Sequence, residues 1–349
     1  MIESSSNMNI LFFSRLFYPH VGGVEKHVME ISRILIKKGY KVTIVAEQNP
    51  SKTKLREVIN GIEVFRIPKL KDGKLKKIKI WKWLWGNIRL IKNADIVHCH
   101  DVFFWYLPFK FIFPLKKVFT TFHGYESYPL KQKNILVRKI SEKLSIGNIC
   151  IGDFIKKWYG TKPTYVSYGA VEIPNSKLQI SNKIKQESAV FMGRLDEQTG
   201  VLTYFEAVRK IREKIPDFKL TVFGDGKFKN KNGEGLEFKG FIDNAQKQIY
   251  KYNLVFASRY LSILEAMAAK KLVFAVYNNP IKEDYLKMSP FSKYIIISES
   301  SSDLISKILF FRNNEKLKNE MIEKGFAWIK KHTWKEMVNT YIELWNRNL

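Results

Sequence analysis

Residues Asn9 to Ser14 (NILFFS) form a short apolar run that gives way to a glycine loop, YPHVGG. Val24, Val28, Ile31 and Leu35 then recur at helical spacing, and the stripe stops at Gly39, a usual helix end. Lys41 to Ala46 (KVTIVA) is apolar and short again. Strand, glycine loop, helix and strand within ~40 residues open a βαβ unit. This succession constrains the chain most, because parallel strands joined through helices belong to layered α/β folds. Further strand candidates are Glu63–Ile67, Ile96–Cys99, Lys117–Thr121, Asn148–Ile151 and Pro163–Ser167, with helical stretches between them. The first half therefore reads as a parallel sheet covered by helices.

The pattern begins a second time. Ser176 to Glu187 is polar and weakly patterned and reads as a linker. After it come a strand at Ala189–Met192, a turn GRL, a helix at Val201–Lys214 and a strand at Lys219–Gly224. Leu236–Lys239, a helix at Ala245–Tyr252, a strand at Leu254–Ala257, a helix at Ile263–Ala269 and a strand at Leu272–Ala275 follow. Beyond Ser302 the chain reads as helical, with Trp328, Trp334 and Trp345 as packing anchors. We expect an N-terminal α/β domain at 1–172, a linker at 173–187, a second α/β domain at 188–331 and a closing helix at 332–349. The 349 residues fit two domains at ~150 residues each.

Composition excludes several classes. The chain is 45 % hydrophobic, which rules out disorder by composition. Its two cysteines, Cys99 and Cys150, cannot build a disulfide framework or a multi-cysteine zinc site. The start MIESSSNM lacks the basic and apolar stretches of a signal peptide. The most apolar run, Val102 to Leu115, is broken by Lys110 and two prolines and is shorter than the ~20 residues a spanning helix needs. We therefore expect a cytoplasmic protein, at most peripheral on a membrane. Sixty Lys+Arg against 33 Asp+Glu give a net charge of +27, a statement about partners and not about fold.

Some residues carry chemical potential by their placement. Gly22 and Gly23 lie between a strand and a helix start, where backbone can approach a ligand and free N–H groups face an anion. His98 and His100 (VHCHD) and His123 (TFHG) each fall at the end of a strand candidate, where open α/β sheets bind ligands. Zinc is one use for such a trio, but no supporting His/Cys/carboxylate spacing stands out. Arg194 follows the first strand of the second domain and can hold a phosphate through its planar fork. Gly224 ends another strand in the turn FGDG. Glu265 (LEAMA) reads as opening a helix, placed to accept hydrogen bonds from vicinal hydroxyls or simply to favour a helix start.

In this order, NILFFSRLFYPHVGGVEKHVMEIS, DIVHCHD, TFHG, GRL, VFGDG and LEAMA resemble glycosyltransferase family 4. The resemblance runs from about Asn9 onward. It implies the GT-B fold: two Rossmann-like domains with parallel sheets facing a cleft, and a C-terminal helix (HTWKEMVNTYIELW) returning to the first. It also implies retaining transfer of a sugar from a nucleotide-diphosphate donor to a glycan or lipid-linked acceptor, with neither metal nor cofactor. Carried over by position, Gly22 and Gly23 would line the donor phosphates and acceptor entrance, His123 would contact the transferred sugar, and His123 and His100 would be the catalytic residues. Arg194 would bind the diphosphate beside the Gly224 turn, and Glu265 the ribose hydroxyls. Two positions depart from the family. Thr199 stands where a second phosphate cation, a lysine, is usual, so Thr199→Lys is expected to tighten diphosphate binding. Ala257 stands at the first of two paired glutamates, in a loop about four residues short. The departures leave an inactive partner subunit as an alternative.

Arg66 to Lys92 holds ten basic residues against Asp72 alone. Leu75, Ile78, Trp81, Trp85, Ile88 and Ile91 recur through it at helical spacing. A basic, Trp-bearing amphipathic helix reads either as an anionic-membrane contact or as a sheet-covering helix with lysines in water. Nucleic-acid binding is suggested by charge alone; the basic residues are dispersed and no recognition motif accompanies them.

Overall fold

The computed structural model describes residues 8–49, 53–73, 75–174, 185–231, 233–242 and 245–347. The polar start at 1–7 and most of the expected linker, 175–184, lie outside them. The chain forms two compact units: Met1–Ser167 together with Trp334–Leu349, and Tyr168–Thr333.

The first unit runs β1 (Asn9–Ser14), α1 (Gly23–Lys37), β2 (Lys41–Glu47), β3 (Arg56–Ile59), β4 (Ile62–Ile67), α2 (Lys76–Gly86), α3 (Arg89–Asn93) and β5 (Ile96–His100). It continues with α4 (Phe103–Ile112), β6 (Lys117–Phe122), α5 (Gln132–Leu144), β7 (Gly147–Ile151), α6 (Phe154–Tyr159) and β8 (Tyr165–Ser167). Its sheet has the order β3-β4-β2-β1-β5-β6-β7-β8. Every neighbouring pair is parallel except β3–β4, an antiparallel hairpin. The hairpin adds one antiparallel edge strand to the expected parallel sheet. Asn60 and Gly61 turn the hairpin with φ of 51° and 81°, the positive values of an Asn-Gly hairpin turn. The central strands are buried on both faces, which is why they read as continuous apolar runs and not as alternating ones.

The second unit contains β9 (Lys185–Met192), α7 (Val201–Ile211), β10 (Lys219–Phe223), β11 (Leu236–Gly240), β12 (Tyr252–Phe256), α8 (Tyr260–Ala268), β13 (Val273–Val276), α9 (Pro280–Lys287) and β14 (Ile296–Ser298). Helices α10 (Ser301–Arg312) and α11 (Glu315–Ile329) follow. Its sheet, β11-β10-β9-β12-β13-β14, is parallel throughout. Val171 bridges to Thr333, so both ends of this unit meet.

The chain then returns to the first unit as α12 (Trp334–Asn346). Trp334, Met337, Val338, Tyr341, Leu344 and Trp345 form its buried stripe, and it packs against α1. Gly147 at the start of β7 permits the approach: a Cβ there would lie 2.7 Å from Cδ1 of Leu344.

Both sheets have the same logic. From β1 the order runs one way through β2 and the other way through β5; from β9 it runs through β10 and β12. Such a switch point opens a crevice at the carboxyl ends of the two strands, where α/β folds bind ligands.

Candidate functional site

At the switch point of the first unit four histidines come together. His98 and His100 alternate on β5 and therefore share one face of the sheet, their rings stacked 5.1 Å apart. β5 runs one residue beyond the expected Ile96–Cys99 and so takes in His100 as well as His98, whereas His123 lies past its strand, β6. His27 enters from α1, its ring 4.7 Å from that of His123 and nearly perpendicular to it. Burial holds His27, His98 and His100 well below the usual imidazole pKa, and it brings His123 to about 3. All four are neutral at pH 7.

Neutral rings give the hydrogen bonds a direction. The indole N–H of Trp345 can only donate, so Nδ1 of His98, 3.1 Å away, accepts. His98 then carries its proton on Nε2 and donates to Oγ1 of Thr121 at 2.8 Å. The Tyr341 hydroxyl lies 2.8 Å from Oγ1 of Thr121 and 2.9 Å from Nε2 of His27, within hydrogen-bond distance of both. The chain of bonds starts and continues on α12, at Trp345 and Tyr341, one helical turn apart. The second link joins Nδ1 of His100 to Nε2 of His123 at 2.9 Å. Nε2 of His100 is buried without a partner. An orphaned N–H is rarer in proteins than an under-used acceptor, so the proton of His100 belongs on Nδ1, donated to His123. His123 then keeps its own proton on Nδ1 and can offer it to a ligand hydroxyl. The backbone N–H of His123 donates to Oδ1 of Asp101 at 3.0 Å, which anchors the loop.

His27, His100 and His123 each bring a ring nitrogen within 4.8 Å of the others, a spacing a transition-metal ion could bridge. Two hydrogen bonds, to Tyr341 and between His100 and His123, already engage those rings. We read the trio as an imidazole network in which His100, buried, acts through His123.

Gly22 caps α1 in extended geometry and Gly23 begins the helix. The carboxylate of Glu25 folds back over this end: a Cβ on Gly22 would lie 2.5 Å from its Oε2. His20 approaches the same carboxylate at 3.4 Å. Glu25 thus already answers the helix dipole where a phosphate was expected, and Gly23 remains as open backbone.

In the second unit the loop after β9 carries Arg194, which is exposed and paired with Asp196 at 3.3 Å. Thr199 is buried and turned into its own loop. Its hydroxyl lies 3.0 Å from the carbonyl of Arg194 and 2.8 Å from that of Asp196, and its N–H donates to Oδ1 of Asp196. A lysine at 199 would lose this bonding and need an exit, so the expectation that Thr199→Lys simply adds a cation is withdrawn. Gly224 has a structural reason: with φ of 152°, a Cβ would fall 1.9 Å from the Gly193 carbonyl. It lets the loops after β9 and β10 cross, joined by Gly193 to Phe223 and Leu195 to Asp225 bonds.

The loop after β12 is short. Val276 N–H lies 3.0 Å from Ser258 Oγ and 3.1 Å from the Tyr204 hydroxyl, which fixes the Ser258 turn. Helix α8 begins at Tyr260, three residues earlier than expected, so Glu265 lies in its second turn, half-buried, and not in the first. Ser262 ties α8 to the end of β9 through the Met192 carbonyl at 3.2 Å. Arg194 and the helix bearing Glu265 therefore meet at the ends of neighbouring strands. Sequence reasoning missed His27 and Tyr341. His27 was detectable, since it sits four residues before Ile31 of the apolar stripe of α1.

Two parallel α/β units with Rossmann-type strand order, and a C-terminal helix packed on the first, define the GT-B architecture. The family model Glycosyltransferase Family 4 matches residues 21–160, and Glycosyl transferases group 1 matches residues 174–328. Each half of the chain is thus similar to a glycosyltransferase family, on a GT-B fold. It is 25 % identical to the phosphatidyl-myo-inositol mannosyltransferase of Mycobacterium tuberculosis over 65 % of this chain, a match spanning 64 % of that enzyme's length. It is 26 % identical to an uncharacterised glycosyltransferase of Methanocaldococcus jannaschii, covering 93 % of this chain and 94 % of the other. Among solved structures it is similar to an Anabaena protein in complex with UDP and glucose, with a TM-score of 0.73, 14 % identity and coverage of 96 % and 98 %.

Proposed function

We propose that this chain transfers a sugar, with retention and without a metal, from a nucleotide-diphosphate donor to a glycan or lipid-linked acceptor in cell-surface polysaccharide or glycolipid synthesis. One observation carries the reading: Arg194 and the Glu265 helix converge on the switch point of the second sheet, where phosphate and ribose would be held. In the first unit, neutral His123 with its proton on Nδ1 suits contact with a sugar hydroxyl. Gly22 and Gly23 would border the donor phosphates and acceptor entrance. The relatives named above, a lipid mannosyltransferase and a protein solved with UDP and glucose, support the same substrate class. The proposed location is the cytoplasmic membrane face. No described helix is long and apolar enough to cross a membrane, and the exposed basic surface of α2 favours peripheral contact.

A panel of nucleotide sugars with candidate glycan and lipid-linked acceptors tests this, with the anomeric configuration of product read by NMR, with and without a chelator. We expect turnover with one donor class, retained configuration and no chelator effect. Inverted product or chelator-sensitive turnover counts against the mechanism. Donor binding without turnover across the panel would favour the second reading, an inactive partner subunit, to which Thr199 and Ala257 point.

A further inference from the structure

Lys282 stands in the first turn of α9 and is 1 % exposed. Its ammonium donates to the Ser258 carbonyl and lies 4.2 Å from the centre of the Tyr285 ring. Burial opposes its charge first, the Arg259 guanidinium opposes it next, and Asp196 favours it. Three unfavourable effects coincide here: loss of hydration, a like charge alongside, and a cation at the positive end of a helix. An apolar side chain of similar volume would suffer none of them. Concentrated positive charge of this kind has a purpose where an anion docks.

Arg259 caps α8 and is half-buried, with Nη1 3.4 Å from Oε1 of Gln198. Gln198 belongs to the turn that carries Arg194 and Asp196. Four cationic side chains thus lie about one loop at the end of β9: Arg194, Arg259, Lys282 and Lys227, the last already ion-paired with Glu197 at 2.5 Å; Asp196 is placed among them, 3.3 Å from Arg194. Thr199 stands where a lysine was expected, and its hydroxyl is committed to carbonyls within its own loop.

We propose that Arg259, backed by the buried Lys282, is the second diphosphate-binding cation of this chain. It takes over the role that a lysine at 199 would have. The inference rests on the nucleotide-diphosphate reading given above and adds residues to that site. Arg259 is the direct contact, because its guanidinium is reachable and can meet two phosphate oxygens at once. Lys282 is a positioning residue. It holds the Ser258 carbonyl, which precedes Arg259, from behind.

Calorimetry with UDP, GDP and ADP, and with uridine, guanosine and adenosine as phosphate-free controls, tests the assignment on the full chain. Arg259→Ala is expected to weaken the preferred diphosphate roughly ten- to a hundredfold while leaving the matching nucleoside unchanged. Arg259→Lys should recover part of the loss. Lys282→Met should also weaken the diphosphate, yet leave the melting temperature of the free protein unchanged or raised, because an unpaired buried charge has been removed. A purely structural lysine would instead lower the melting temperature and leave binding intact, and that result overturns its role. Unchanged diphosphate binding in Arg259→Ala, alongside a loss in Arg194→Ala, overturns this inference and leaves the donor site standing. Equal losses for nucleoside and diphosphate overturn the phosphate assignment. If the wild-type protein binds none of the three diphosphates, the donor-site reading fails and takes this inference with it.

Discussion

A histidine buried as a neutral ring makes folding sensitive to acid, and this chain has three such rings, His27, His98 and His100, with His123 beside them. Their folded pKa values lie below the ~6.5 of an unfolded chain. Their contribution is therefore complete above about pH 6.5 and is lost as pH falls below it, where the unfolded state binds more protons. The slope is about 1.4 kcal/mol per pH unit for each ring. Asp101, raised to about 6 by desolvation, acts in the opposite direction between the usual carboxylate value and about 6. One carboxyl against three or four imidazoles does not change the sign. We expect the melting temperature to be steady near pH 7.5 and to drop steeply by pH 5.5; a flat profile over that range in scanning calorimetry would sink the neutral-network assignment. At the proposed donor site, Arg194→Ala should weaken nucleoside diphosphate binding by ~1.5–3 kcal/mol. Glu265→Gln should cost less, because an amide oxygen still accepts one hydrogen bond. Isothermal titration measures both, and a larger loss for Glu265→Gln would contradict the phosphate-and-ribose division. His100, His123 and Arg194 were legible because local motifs mark strand ends. Tyr341 was not, since its partner Thr121 is 220 residues away.

Helix boundaries decided how the basic segment presents itself. The expected continuous stripe breaks at Asn87 into α2 and α3, and within α2 it is Ile80 and Leu84 that bury. Leu75, Ile78 and Trp85 face solvent instead, 62 %, 56 % and 58 % exposed. Helix α4 lies alongside, with the Trp81 indole donating to the Phe104 carbonyl at 2.9 Å and Trp85 stacked on Phe109. Just beyond, Phe111, Ile112 and Leu115 are exposed as well. An apolar surface on two adjacent helices, ringed by Lys77, Lys79 and Lys82, suits an anionic bilayer better than water. Lys76 is a different case, since it is paired with Glu47 at 2.7 Å and Asp72 at 3.0 Å. Each lysine near an anionic surface contributes ~1 kcal/mol, so replacing Lys77, Lys79 and Lys82 by Gln should lower partition into phosphatidylserine-containing vesicles roughly a hundredfold. Cosedimentation at low and high salt reads this out, with unaltered thermal unfolding as the control. Equal pelleting of variant and wild type would remove α2 as the contact surface. The Asn60-Gly61 hairpin was readable too, but its first strand, REVI, is short and half-polar at the sheet edge and carries no apolar alternation.

Over the whole molecule, the double α/β pattern was clear because fully buried parallel strands impose apolar runs on the sequence. How the first unit is completed was less clear, because that depends on a segment supplied from after the second unit. Six side chains of α12 are buried in the first unit, and at ~1.5–3 kcal/mol each they amount to about 10 kcal/mol or more, comparable with the net stability of a domain. A chain ended at Thr333 should therefore lose cooperative unfolding in its first unit, exposing apolar surface that binds a hydrophobic dye. A peptide of residues 334–349 added in trans should partly restore the native signal. A truncated chain that melts like the intact one would show that α12 is dispensable.

The first unit is interrupted in sequence by the 166 residues of Tyr168–Thr333. At roughly 5–20 residues per second of synthesis, the emerging sheet waits about 10–30 s for the helix that will cover it. During that interval His98 lacks Trp345, Thr121 lacks Tyr341, and the apolar face meant for α12 is open to water. A nascent chain in that state is a natural client for a chaperone, and slowing translation after Ser167 would lengthen the exposure without altering a single residue of the finished protein.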